Sequence, residues 1–238
     1  MMKMAILVDG GFYRVRARQK FGFSRRTPNE NADILEAYCR KHAASAAAQN
    51  RELYRIFYYD CPPVSAIVTN PITGIKVDLS KSSTYSRITA FLRLFSAKRK
   101  VAIRRGKLGV GYVRYSIKPQ VQDELFAGTK AMTGLTSDDI RLEIGQKGVD
   151  MRLGLDLVEM ALKRLVDKVV LVSDDSDFVP AIKMARREGV DVILDPMGNH
   201  VSDDLMEHVD GVESFVGDPA FIAILPPIPA PANVPQST

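Results

Sequence analysis

The chain has 238 residues, of which 46% are hydrophobic and 26% charged, with a formal net charge of +5. These values are ordinary for a globular protein, and the length fits one α/β domain with an insertion. Only Cys39 and Cys61 are cysteines, which excludes a disulfide framework and a cysteine zinc site. The N-terminal apolar run is too short for a signal peptide, and no stretch approaches about 18 apolar residues. We therefore expect a cytoplasmic protein with no membrane span.

Apolar patterns predict strands and helices that alternate along most of the chain. The predicted strands cover 4–8, 53–59, 141–144, 169–172, 190–194 and 212–216, and the predicted helices cover 12–20, 32–48, 82–97, 149–165, 178–188 and 201–209. Segments 101–105 and 109–117 are predicted to form a hairpin around 106–109. Residues 123–138 are expected to be a turn-rich connection. The proline-rich chain from 218 is expected to be extended or disordered.

The strand at 169–172 runs directly into a cluster of acids. The cluster is Ser173, Asp174, Asp175, Ser176 and Asp177. In an open α/β sheet, ligands bind at the carboxyl ends of the strands. Two carboxylates about 5 Å apart repel by roughly 3 kcal/mol at an effective dielectric near 20, and a divalent cation with oxygen ligands commonly offsets such charge. Alternatively, Asp175 or Ser176 caps the following helix, which explains one acid but not three.

Four other acids stand near predicted element ends or inside the following helix. Asp9 follows the first strand and Asp60 follows the second, although turn chemistry explains Asp60 equally well. Asp150 lies in the first turn of a helix, where the helix dipole alone favours a carboxylate. Asp156, inside that helix, either supports a site indirectly or pairs with Arg152 or Lys163.

The middle of the chain is basic. From 79 to 122 there are eleven Lys or Arg and no Asp or Glu, whereas 123–218 carry 10 basic and 21 acidic residues. This asymmetry suits a carboxylate centre beside a groove that holds a polyanion such as a nucleic acid. The predicted nucleic-acid-binding residues are Arg99, Lys100, Arg104, Arg105, Lys107 and Arg114. Phe91 and Phe95 are expected in the core, while Tyr112 and Tyr115 are candidates for stacking on bases.

Three motifs occur in a characteristic order. They are Asp9-Gly10-Gly11 after a strand, Lys147-Gly148-Val149-Asp150 before a helix, and Ser173-Asp174-Asp175-Ser176-Asp177-Phe178 after a strand. The set resembles the NYN domain family of PIN-like nucleases, and within it the bacterial LabA-like group. The resemblance covers the first strand and turn and then roughly 145–216. We accordingly predict a domain at 1–217, with a basic insertion or divergent segment at about 61–135, and a tail at 218–238.

The resemblance implies a doubly wound, mostly parallel PIN-like sheet with helices on both faces. It also implies a Mg²⁺- or Mn²⁺-dependent site that hydrolyses RNA. Carried over by motif, the catalytic and metal-binding residues are Asp9, Asp150, Asp175 and Asp177. Asp174 is an extra acid relative to the family pattern, and Ser173 and Asp156 are further candidates.

Three hypotheses follow. The first is a metal-dependent endoribonuclease. The second is an RNA-binding or regulatory module without turnover, motivated by the basic segment and by Phe12, which lies where many family members have a polar Asn. The third is a phosphatase with Asp9 as nucleophile, although Gly11 occupies the place of its second acid. The sequence leaves open whether the chain forms a homo-oligomer.

Overall fold

Two structural units make up the chain. The first unit contains residues 1–60, 90–105 and 148–238, and the second contains 61–89 and 106–147. The structure is a computed structural model that describes residues 2–45 and 52–230, without the side chains of 108–112 and 146–147. Its strands are β1 (Lys3–Asp9), β2 (Glu52–Asp60), β3 (Ile67–Thr69), β4 (Lys76–Asp78), β5 (Val101–Arg105), β6 (Lys107–Ile117), β7 (Ile140–Lys147), β8 (Lys168–Val172), β9 (Asp191–Asp195) and β10 (Gly211–Val212). Its α-helices are α1 (Gly10–Phe21), α2 (Pro28–Ala44), α3 (Ser83–Ser96), α4 (Pro119–Phe126), α5 (Val149–Leu162), α6 (Val179–Arg187), α7 (Asp203–His208) and α8 (Pro219–Ile224).

The first unit is built on a parallel sheet with strand order β10-β9-β8-β1-β2-β5. From β1 the chain adds β2 and then β5 on one side, and it later adds β8, β9 and β10 on the other side. The strand order therefore reverses between β1 and β8, which is the topological switch point of a doubly wound sheet. The predicted fold class, a parallel α/β sheet flanked by helices, is confirmed.

Helices cover both faces of this sheet, as β2 demonstrates. The ring of Tyr58 meets Tyr13 of α1 and Phe91 of α3, whereas the hydroxyl of Tyr59 donates to Asp156 of α5. Because successive side chains of a strand point to opposite faces, α1 and α3 lie on one face and α5 on the other. The strands between the helix layers are apolar and buried, with Met4–Val8 of β1 and Val169–Val172 of β8 inaccessible to solvent.

Two local features determine where α1 and α2 begin. A Cβ at Gly10 would lie 2.6 Å from the Tyr58 ring and 2.7 Å from the Tyr59 carbonyl oxygen, so only glycine allows α1 to start this close to β2. Helix α2 begins at Pro28, before the predicted 32, because Thr27 and Glu30 form a reciprocal capping box. Residues 46–48 of the predicted helix lie outside the described residues.

The predicted hairpin of 101–105 with 109–117 is wrong. β5 pairs in parallel with β2 in the first unit, while β6 pairs antiparallel with β7 in the second unit. Helix α3 returns the chain to the amino end of the sheet, so β5 enters as a parallel strand and Gly106 separates two different sheets. The second unit also contains the antiparallel pair β3–β4. Residues 123–126, the start of the predicted turn-rich connection, instead form the end of α4.

The tail also differs from its prediction. Residues 219–224 form α8, and Phe221 is buried against Phe21 and Tyr38 of the first unit. The guanidinium of Arg26 donates to the Pro226 carbonyl at 2.5 Å, which fixes the chain beyond α8. Phe221 thus packs on the chain's own core, whereas Ile222 and Ile224 are exposed, and 231–238 lie outside the described residues. No helix among the described residues has the length and apolar character needed to cross a membrane.

Candidate active site

Asp9 and the acid cluster after β8 lie beside each other at the switch point. Val8 is in register with Val172 across the β1–β8 ladder, so Asp9 and Ser173 are the next residues on adjacent strands. Neighbouring strands are about 4.8 Å apart. The sheet topology therefore brings the first and last of the three sequence motifs to one edge. This is the position at which open α/β sheets bind their ligands.

Asp9 caps α1 from the end of β1. Its Oδ1 accepts a hydrogen bond of 3.1 Å from the Phe12 N–H, and the side chain is half-buried. Burial is the main cause that raises the pKa of Asp9 to about 6, and the charges of Asp150 and Asp60 raise it further, whereas backbone hydrogen bonds from Phe12 and Gly11 lower it. The protein thus holds this carboxylate in a place where its negative charge is costly.

Asp175 has a similar capping role after β8. Its Oδ1 accepts from the Asp177 N–H at 2.9 Å, and its own N–H donates to the buried Ser173 hydroxyl at 3.2 Å. The capping interpretation of Asp175 is therefore correct for a short turn of 3₁₀ helix at Ser176–Phe178. Capping by Asp175 does not explain the neighbouring acid Asp177, whose side chain is exposed.

Asp150 joins these acids from the start of α5. Burial raises its pKa, and the charges of Asp175 and Asp177 raise it further. The charge of Asp150 in turn acts on Asp9. The structure thus places Asp9, Asp150, Asp175 and Asp177 in one electrostatic neighbourhood, and among the described residues none of the four forms an ion pair.

Asp174 differs from these four acids because it has a side-chain partner. Its carboxylate accepts a hydrogen bond from the Asn199 amide, in the loop after β9. Within residues 2–45 and 52–230, no three or more His, Cys, Asp or Glu side chains are arranged to hold a metal ion. The four acids therefore form an open cluster rather than a closed coordination cage.

Asp60 and Arg14 form a buried pair next to this cluster that the sequence did not reveal. Arg14 Nη1 donates to Asp60 Oδ2 at 2.5 Å, with side-chain exposures of 15% and 0%. Tyr58 also donates to Asp60, at 3.3 Å. The only sequence signal was the run of arginines in α1, which predicts a solvated or anion-facing surface without identifying a partner.

Asp156 has partners other than the predicted ones. Instead of pairing with Arg152 or Lys163, it accepts from Tyr59 at 2.9 Å and from Arg104 Nε at 2.8 Å. The correction arises because α5 lies across β2 and β5, so that its inward side chains face those strands rather than the next turn of the helix. Asp156 is therefore neutralised by a cation from β5.

The predicted nucleic-acid-binding residues do not form one surface. Arg99 and Lys100 precede β5 at the amino edge of the sheet, opposite the acids, and Lys100 pairs with Glu52 at 2.7 Å. Arg104 and Arg105 end β5 at the carboxyl edge. The guanidinium of Arg104 pairs with Asp156 and lies over the Phe57 ring. Arg105, in register with Asp60, is exposed and makes no ion pair with any described residue.

The remaining basic residues of that set belong to the second unit. Lys107 begins β6 and is exposed, and Arg114 approaches Glu143 of β7 at 3.5 Å. The side chain of Tyr112 lies outside the described residues. Phe91 and Phe95 are buried and stack on each other, as predicted for core residues.

Comparison with known proteins identifies one family. The model of the NYN domain matches residues 72–214, more than half of the chain. An uncharacterized protein y4oD of Sinorhizobium fredii is 41% identical over 64 residues, which cover 24% of this chain and 30% of that protein. The chain thus spans less than a third of the length of this relative. A solved protein of unknown function from Vibrio parahaemolyticus has 16% identity and a TM-score of 0.46, covering 90% of this chain and 92% of its own.

Proposed function

The chain belongs to the NYN domain family, whose members are PIN-like nucleases, and on that premise we propose that it is a metal-dependent endoribonuclease. The proposed reaction is hydrolysis of RNA phosphodiester bonds at Asp9, Asp150, Asp175 and Asp177. The observation that supports it best is the meeting of these four acids at the switch point without an ion pair from any described residue. Capping accounts for Asp9 and Asp175 separately, but it does not account for Asp150 and Asp177 beside them, since like charges brought together destabilise the fold unless a cation offsets them.

The donor chemistry of this cluster fits Mg²⁺ or Mn²⁺. Both are hard cations that prefer carboxylate oxygens. Mg²⁺ in particular keeps several waters and is held by only one or two carboxylates together with substrate phosphates, so an open cluster suffices. Asp9 and Asp175 are the best-placed ligands because hydrogen bonds to the backbone already fix their carboxylates. A cation held there would lower the pKa of a water molecule and neutralise charge on the phosphate.

Side chains of the protein then account for the orientation of the carboxylates and for the attraction of the RNA. Asp9 and Asp175 are held by the helix starts that they cap, so little conformational freedom is lost when a ligand binds. Asp150 and Asp177 are exposed, which leaves them open toward a substrate. At the same edge, Arg105 supplies a positive charge that no described residue neutralises, and it would attract the RNA backbone.

A second function, RNA binding without turnover, remains as the alternative. It is favoured by Phe12, which is half-buried at the start of α1, where many family members have an amide side chain. The open arrangement of the acids is also compatible with it.

The deciding experiment is cleavage of an end-labelled, mixed-sequence single-stranded RNA in Mg²⁺, Mn²⁺ or EDTA. We expect products with either metal and none in EDTA, and we expect Asp175→Asn to abolish them while RNA binding survives. The matched control is Glu188→Gln, an exposed acid after α6 at the opposite edge of the sheet. Cleavage that persists in Asp175→Asn would refute the assigned site. Binding without cleavage under every metal would favour the alternative.

A further inference from the structure

Arg14 is a largely buried cation beside the acid cluster to which the proposed reaction has assigned no role. Its side chain is 15% exposed, and it lies five positions after Asp9 on α1. The bond from Nη1 to Asp60 is the one hydrogen bond that its side chain makes with a described residue. A guanidinium carries several further N–H groups in a rigid planar fork, and buried polar groups normally find acceptors.

The surroundings hold this guanidinium in one place. Asp60 is fully buried at the end of β2 and also accepts from Tyr58. The close approach of Gly10 to the Tyr58 ring fixes the first turn of α1 on the same strand. An arginine restrained in this way has lost most of its rotamer freedom before any ligand arrives, so a further contact is made at a low entropic cost.

An ion pair that fastens α1 to β2 explains only one N–H group of Arg14. Because Asp60 ends β2, the guanidinium that pairs with it lies at the carboxyl edge of the sheet, where the proposed function brings a polyanion. Arginine binds phosphate oxygens through two parallel N–H bonds, and a cation placed next to a reacting phosphate also stabilises charge that develops there. The bond to Asp60 holds the guanidinium in place, and the charge of Asp9 also acts on Arg14, so the guanidinium lies close to the acid cluster.

We propose that Arg14 binds a backbone phosphate of the RNA at the acid cluster, with Asp60 as its positioning residue. This inference rests on the proposed function. It adds a substrate contact that belongs to none of the three sequence motifs, and it assigns the strand-end acid Asp60 a role different from that of Asp9.

The test is the salt dependence of RNA binding, measured by fluorescence anisotropy with a single-stranded RNA in EDTA, where the proposed nuclease does not cleave. Each phosphate contact that is lost reduces the slope of log Kd against log salt by about 0.7 for a single strand. We expect Arg14→Gln to reduce the slope by about that amount and to weaken binding about tenfold at low salt. Arg18→Gln, an exposed arginine on the same helix, is the matched control and should leave both values unchanged.

Two further variants separate a binding role from a structural one. Arg14→Lys keeps a positive charge opposite Asp60 but loses the planar fork, so it should retain the slope and bind more weakly than wild type. Asp60→Asn should weaken binding by releasing Arg14 from its position. Wild-type affinity and slope in Arg14→Gln would overturn the proposal even if that variant were less stable, and loss of slope in Arg18→Gln alone would also overturn it.

Together with the cleavage assay, this binding experiment distinguishes the inference about Arg14 from the proposed function. If the wild type binds RNA but cleaves none with Mg²⁺ or Mn²⁺, the proposed function fails and the slope still decides the role of Arg14. If the wild type cleaves RNA while Arg14→Gln binds it normally, only the inference about Arg14 fails. If the wild type shows no salt-dependent RNA binding, both fail.

Discussion

Asp9 and Asp195 each end a strand at the same edge of the same sheet, yet their surroundings are opposite. Asp195 is inaccessible to solvent and accepts from the Tyr38 hydroxyl at 2.6 Å, the His42 ring at 2.8 Å and the Met197 N–H at 2.7 Å. Asp9 is only half-buried, and its hydrogen bonds come from the backbone at the start of α1. Asp195 accepts hydrogen bonds from three groups of its own protein, whereas Asp9 forms no ion pair with any described residue.

The pKa shifts at the two positions show the same difference. Although burial of His42 opposes its protonation, the hydrogen bonds of its ring to Asp195 and Glu213 raise its pKa. At Asp9 burial raises the pKa of the carboxyl to about 6, and the neighbouring acids add to the effect. An acid at a strand end is therefore not in itself a sign of function. The sign is a costly charge that no ion pair among the described residues offsets.

We expect the largest effect at Asp195, the acid that accepts hydrogen bonds from Tyr38, His42 and Met197. Asp195→Asn removes the charge that His42 and Tyr38 face inside the core, and breaking a buried pair in this way costs about 3 kcal/mol of unfolding free energy. Urea denaturation at pH 7 measures this loss. Glu188→Gln, an acid-to-amide change at an exposed position, should leave the midpoint unchanged. A stability for Asp195→Asn within about 0.5 kcal/mol of wild type would show that the network contributes little.

At Asp9, which forms no ion pair with a described residue, we expect a substitution to remove activity and to leave folding intact. Asp9→Asn keeps the cap on α1, since Asn caps helices as well as Asp does, but it removes a proposed metal ligand. RNA cleavage in Mg²⁺ should fall at least about 100-fold, comparable with the loss of a strong electrostatic contact in an active site. Initial rates of RNA cleavage measure the effect, and RNA binding in EDTA verifies that the fold and substrate surface persist. Undiminished cleavage would remove Asp9 from the site.

Metal binding should stabilise the protein only where the unsatisfied acids are intact. At ten times its Kd, a ligand that binds only the folded state adds about 1.4 kcal/mol, which is a Tm rise of roughly 3–6 °C for a domain of this size. We expect this rise for wild type with Mn²⁺ and Mg²⁺, and none for Asp175→Asn. Asp195→Asn, although less stable, should retain the same rise because its acid is not part of the cluster. An equal rise in all three proteins would indicate nonspecific binding.

The sequence was sufficient to predict the features that depend on local patterns. The apolar run before each acid predicted β1, β2, β8 and β9, and the parallel fold then required the acids that follow β1 and β8 to meet at one edge. The capping role of Asp175 was also predicted, because its side chain contacts a backbone group two residues away. The cap that Asp9 provides for α1 is equally local but was not predicted.

Predictions that depended on distant partners could not be read in the same way. Asp60 pairs with Arg14, which lies 46 positions earlier in the chain, and Asp156 pairs with Arg104, which lies 52 positions earlier. No local periodicity encodes such pairs, which arise only once the strand order is known. The grouping of the basic residues on one surface could not be tested from the sequence for the same reason. Their charges are contiguous in sequence, but β5 carries Arg99 and Arg105 to opposite ends of the sheet.

The smallest expected effect tests the comparison most directly, because the two acids should change stability in opposite directions. Asp9 titrates near its ordinary pKa of 3.8 in the unfolded chain and at about 6 in the folded protein. The folded state thus binds the proton more tightly, and stability falls as the pH rises from about 4 to 6 and then stays constant. In EDTA, Asp9→Asn should therefore be more stable than wild type at pH 7, by about 1 kcal/mol after allowance for solvent screening of a half-exposed group.

At pH 3.5 the wild-type carboxyl is mostly protonated in both states, so this difference should largely disappear. Urea denaturation at the two pH values measures it, with Asp177→Asn as a control, since that acid is exposed. If Asp9→Asn instead loses stability at pH 7, as Asp195→Asn is expected to do, then the charge of Asp9 already has a partner within the protein. The cluster would in that case have no need of a cation, and the contrast between the two strand ends would be lost.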